Sequence, residues 1–117
     1  MAEQLHNYDF PEAKEGNSYY RVRFKFAQED VYYLPGAKVY MQLRRKPGQL
    51  VVAELSTENG KLEISGNYWL DFLNQIINLP SGIYYYDILF VFPDGRRRTY
   101  IEGKFPVKAV ITTKKIV

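Results

Sequence analysis

Tyr19 to Phe26 reads YYRVRFKF, with apolar and charged residues alternating along it. Tyr20, Val22, Phe24 and Phe26 fall on one side of an extended chain, and Tyr19, Arg21, Arg23 and Lys25 on the other. Period-two alternation predicts a strand with one buried and one wet face. Burying a side chain such as Phe24 contributes about 1.5–3 kcal/mol, so the register is strongly set. The device recurs where Val39, Met41 and Leu43 alternate with Lys38, Tyr40, Gln42 and Arg44, before a turn at Lys46-Pro47-Gly48. In LVVAELS, Val51, Ala53 and Leu55 share a face, and Glu58-Asn59-Gly60 then makes a tight turn. KLEIS and NYWLDF follow as short strands parted at Gly66-Asn67.

Leu73 to Gly82 is the stretch where helical spacing competes. Leu73, Ile76, Ile77 and Pro80 predict one short helical turn or two at the end of the fold, stopped by Pro80-Ser81-Gly82. Ile83 to Phe92 and Arg96 to Lys104 then form a hairpin around Pro93-Asp94-Gly95, where Pro presets φ, Asp bonds backbone and Gly accepts φ > 0. About seven strands at this spacing predict an all-β fold, an antiparallel β-sandwich. It forms a single domain over residues 1–117, with 1–11 as an N-terminal arm or edge strand. Residues 108–117 are a C-terminal tail carrying Lys114-Lys115.

Composition supports that picture and narrows the chemistry. A chain of 117 residues with 46% hydrophobic content buries roughly two-thirds of its unfolded surface, enough for one core. Cysteine is absent, which removes disulfides and thiolate metal sites and fits a reducing compartment. The N-terminus has no basic region followed by an apolar one, so no secretory signal is read. The run Ile88 to Phe92 is far too short to span a bilayer. The expectation is a soluble protein made in the cytoplasm, without membrane insertion. A formal charge of +3 and a pI near 9.0 are only mildly basic, weak support for a nucleic-acid partner.

The order of motifs resembles small bacteriophage virion proteins with an immunoglobulin-like β-sandwich, related to the N-terminal domain of siphophage baseplate upper proteins. The matching pieces are the turn Glu15-Gly16-Asn17, the strand entry Leu34-Pro35-Gly36-Ala37 and QLRRKPG from Gln42 to Gly48. The strongest piece is Leu79 to Val107, where Leu79, Pro80, Gly82, Tyr84, Tyr86 and Asp87 match a Leu-Pro-x-Gly-x-Tyr-x-Tyr-Asp pattern. A closing VITTKK resembles the family's Val-Thr-basic ending, with Ile111 inserted. The aromatic N-terminal arm and the arginine run depart from the family. The resemblance implies a structural part of a phage particle, in its tail, baseplate, neck or a fibre attachment. It implies a homo-oligomer or contacts with other virion proteins, assembled in the host cytoplasm, and no catalytic residue or cofactor.

His6, the sole histidine, has no companions at metal or catalytic spacing and reads as a surface residue of the arm. The carboxylate pairs Glu29-Asp30 and Glu12-Glu15 have nothing to orient them as acid and base. No phosphate loop, Ser-His-Asp set or calcium loop is present, so an enzyme is not expected. Tyr84 and Tyr86 share a face with Ile88, Phe90 and Phe92 and read as core, their hydroxyls at an edge. Tyr85 and Asp87, with Leu89 and Val91, form an opposite face that terminal segments or another subunit should cover. Arg96 and Arg98 should point together with Arg97 opposite, and Arg44 and Arg45 with Lys46 could extend the patch. An exposed charged hairpin or a contact to an acidic partner is favoured over nucleic acid. Tyr32-Tyr33, with Tyr68-Trp69, could stack on a glycan. The candidate interface residues are therefore Tyr32, Tyr33, Arg44, Arg45, Tyr85, Arg96, Arg97 and Arg98.

Overall fold

A computed structural model describes residues 5–110. The basic tail at Lys114-Lys115, Ile111, and residues 1–4 of the arm lie outside the described residues. In chain order the strands are β1 (His6–Asn7), β2 (Ala13–Lys14), β3 (Ser18–Tyr19), β4 (Val22–Lys25), β5 (Lys38–Arg44) and β6 (Val51–Ser56). β7 (Leu62–Ile64), β8 (Trp69–Phe72), β9 (Gln75–Ile76), β10 (Gly82–Val91) and β11 (Arg97–Lys108) follow. The all-β class agrees with the alternation in the sequence.

The long hairpin β10–β11 organises the larger sheet, ordered β1-β11-β10-β5-β6, with β2 also pairing β11. Its turn is built as the sequence suggests: Gly95 takes φ 90°, and the Arg96 N–H donates to Asp94 Oδ1 at 3.0 Å. A smaller sheet runs β4-β8-β7, and β3 pairs β9 separately. The two main sheets meet through rings. Phe26 lies 6.1 Å from both Phe90 and Tyr100, and Phe72 lies 6.0 Å from Phe105.

Three expectations change. Leu73 to Gly82 holds no helix; Gln75 and Ile76 pair instead with Tyr19 and Ser18. A turn or two of helix offers few internal hydrogen bonds and is marginal alone, whereas strand pairing satisfies these groups across the chain. Second, YYRVRFKF is not one strand. The chain leaves β3 for another sheet at β4, so Tyr19 packs on the core while Tyr20 is 83% exposed. Third, His6 is half-buried rather than a free surface residue: its ring lies 5.8 Å from Phe26 and its Nε2 is buried.

The N-terminal arm is an edge strand of its own domain. His6 and Asn7 pair in parallel with Ile101 and Glu102, and the Phe10 N–H donates to the Lys104 carbonyl at 2.9 Å. Phe10 is buried among the rings of Phe72, Tyr86 and Phe105, at 4.9–5.2 Å. Gly103 is what lets the arm lie so close. A Cβ there would sit 2.0 Å from the Tyr8 carbonyl oxygen, so only glycine fits beneath the arm.

Candidate functional site

The hairpin places Arg96 and Arg98 on one side, around Tyr32. The Arg96 guanidinium carbon stands 3.8 Å from the Tyr32 ring centroid and that of Arg98 5.4 Å. Arg96 also pairs with Asp94 at 2.6 Å, and the Arg96 backbone N–H helps hold the Asp94 carboxyl below its usual range. Tyr32 is fixed from behind: its N–H donates to the Tyr100 hydroxyl at 3.1 Å. Its ring therefore already carries the Arg96 guanidinium against it. Tyr33 is 57% exposed and meets Tyr68 edge-on at 6.1 Å.

Arg97 faces the other way and acts electrostatically on Tyr40. Arg44 and Arg45 do not join the hairpin arginines. Lys38 lies opposite Val91 and Arg44 opposite Tyr85, which separates the two ends of β5 by about 20 Å. Arg44 donates to the Gln49 carbonyl at 2.7 Å. Arg45 donates to the Ser81 carbonyl at 3.0 Å and lies over Tyr84. Tyr85, half-buried, lines an open concavity of about 450 Å³ with Arg44, Asp87, Glu102 and Lys104. Asp87 is exposed there, and within the described chain no segment seals this face.

Tyr84 and Tyr86 are core residues. Tyr84 donates to the Pro80 carbonyl at 2.6 Å and Tyr86 to the Tyr8 carbonyl at 2.5 Å. Burial pushes the Tyr86 hydroxyl pKa well up. The hydroxyls thus find partners without leaving the interior.

A third cluster was not singled out from the sequence. On the outer face of the smaller sheet, Arg23 and Lys25 stand over the Trp69 ring at 4.9 and 5.1 Å. Arg23 donates to Asp71 Oδ1 at 2.7 Å, and Arg21 also pairs with Asp71. Asp71 has no exposed side-chain surface. Burial opposes its ionisation, but the hydrogen bonds from Arg23 and Arg21 outweigh that and hold its pKa at about 2. The signal was present in the alternation of WLDF: Leu70 and Phe72 point inward, which leaves Trp69 and Asp71 beside the cations of β4. Which strand lies beside β8 is a tertiary fact.

Among the described residues no group of His, Cys, Asp or Glu could hold a metal ion. Among the same residues no helix is long and apolar enough to cross a membrane. No family model, curated protein or solved structure matches the chain.

Proposed function

We propose that the chain is a non-enzymatic phage virion structural protein, of the immunoglobulin-like sandwich kind, that works by docking to other proteins in a tail, baseplate, neck or fibre attachment. The reading rests on the ordered motifs from Glu15 to Val107. The observation that carries docking is the concentration of arginine and aromatic rings at the surface, at Tyr32–Arg96–Arg98 and Trp69–Arg23–Lys25. Arg, Tyr and Trp are the residues that protein interfaces enrich. Preorganised stacks lose little rotamer freedom on docking, which suits a geometric role. The test is proteomic: the chain should be found in purified particles, and mild disruption should release it bound to a neighbouring protein. Absence from particles would overturn the reading.

Nucleic-acid binding is the second reading, favoured by the paired guanidinium groups about Tyr32. It requires retention on DNA that falls steeply with salt and weakens when Arg96 and Arg98 are replaced by alanine. Asp94 already neutralises part of that charge, so we rank it lower.

A further inference from the structure

We infer that β4 is an open docking edge that takes an added strand from a partner protein, an extended segment alternating acidic and apolar residues. The inference stands on local geometry and holds whatever assembly the chain serves.

β4 is the outer strand of its sheet and, among the described residues, pairs only with β8. The Phe26 N–H donates to the Tyr68 carbonyl at 2.9 Å. Antiparallel ladders alternate, so Phe24 and Val22 also turn their backbone groups toward β8, while those of Arg23 and Lys25 face the open side. The register from Val22 to Lys25 is regular, without a bulge. Such an edge templates another strand unless something covers it.

The side chains specify the partner. Arg23 and Lys25 point outward beside Trp69, and Arg21 adds a third cation against the single buried carboxylate Asp71. An incoming strand that adds antiparallel, with carboxylates on alternate residues, places them directly opposite Arg23 and Lys25, the cross-strand arrangement that stabilises. Its intervening residues point inward, over a groove of about 280 Å³ lined by the rings of His6, Tyr8, Phe24 and Phe26 and by Ile101, with the polar Asn7, Arg23 and Lys25 completing the lining. That lining calls for apolar side chains. His6 Nε2, buried and without a hydrogen-bond partner among the described residues, belongs to the same groove. The occupant is not a second β4, because self-pairing would set cation against cation.

The probe is a blocked peptide of alternating glutamate and valine, with a lysine–valine peptide as control. Trp69, the only tryptophan, reports binding by fluorescence. The acidic peptide should bind saturably and more weakly as salt rises, and Lys25→Glu should weaken it by about tenfold. N-methylation at the glutamate amides should abolish binding, because those amides face β4, while methylation at the valine amides should spare it. Equal binding of the two peptides, no binding of the acidic one, or indifference to glutamate methylation would overturn the proposal. So would a dimer in light scattering that Lys25→Glu alters, since the occupant would then be a second copy.

Discussion

Asp71 shows how one residue ties a surface to the core beneath it. Its carboxylate is fully buried, yet it stays ionised because Arg21 and Arg23 reach it from the strand alongside. Asp71→Asn should lower unfolding free energy by about 1.5–3 kcal/mol, the range for a hydrogen bond to a charged group, measurable by denaturant titration. Its folded pKa of about 2 lies below the ordinary 3.8. The contribution is therefore complete above about pH 4 and is lost as pH falls toward 2, because the unfolded chain takes up its proton first. In Asp71→Asn that part of the acid transition should flatten. Gly103 makes a steric counterpart. Adding a methyl group there drives it into the Tyr8 carbonyl, so Gly103→Ala should destabilise by about 1–3 kcal/mol. Hydrogen exchange at the Tyr8 and Phe10 amides, which bond to β11, should accelerate. Unchanged protection would mean that the arm is not held as described.

At the scale of elements, period-two patterning was readable wherever a strand packed one face. Val39, Met41 and Leu43 are buried as their spacing predicts. It failed where the chain changed sheets, because alternation continued through the break at Tyr20-Arg21 while the inward side reversed. At β6 it held for Ala53 and Leu55, which pack on the core, and failed only at the start, where a bulge opposite Leu43 and Arg44 shifts the register and leaves Val51 and Val52 exposed beside Leu50. That outer edge is guarded by the turn after it. Asn59 accepts from the Ser56 N–H and donates to the Glu54 carbonyl, each at 2.9 Å, capping groups that would otherwise invite another strand. Asn59→Ala should cost about 1 kcal/mol and raise concentration-dependent association, read by thermal melting and light scattering. A stable, monodisperse variant would show that the bulge alone protects the edge.

Across the whole molecule, the aromatic residues act as one body. Phe10 joins rings from the arm, both main sheets and β3, so the terminus and the core should unfold together. Phe10→Ala should therefore remove about 3–5 kcal/mol and leave a single, lower melting transition. Tyrosine ionisation gives a second whole-molecule readout. Burial, reinforced by Tyr8, pushes the Tyr19 hydroxyl up to about 12 from 10.0, and Tyr84 and Tyr86 are raised too, mainly by burial. Below about pH 10 both states keep these protons; as pH rises toward 12 the unfolded chain loses them first, so stability falls. Tyrosinate absorbance should rise in two stages, the later one together with loss of near-ultraviolet circular dichroism.

By itself the sequence determined the strand class, the Pro93-Asp94-Gly95 hairpin, the core role of Tyr84 and Tyr86, and the divergence of Arg97 from Arg96 and Arg98. Those follow from backbone geometry and side-chain alternation, which act within a few residues. Only the tertiary structure decided that the arm pairs with β11, that Arg44 and Arg96 lie at opposite ends of the larger sheet, and that Arg23, Lys25, Trp69 and Asp71 share one face. Such pairings join residues far apart in the chain, and alternation says which face a side chain takes but not which strand lies beside it.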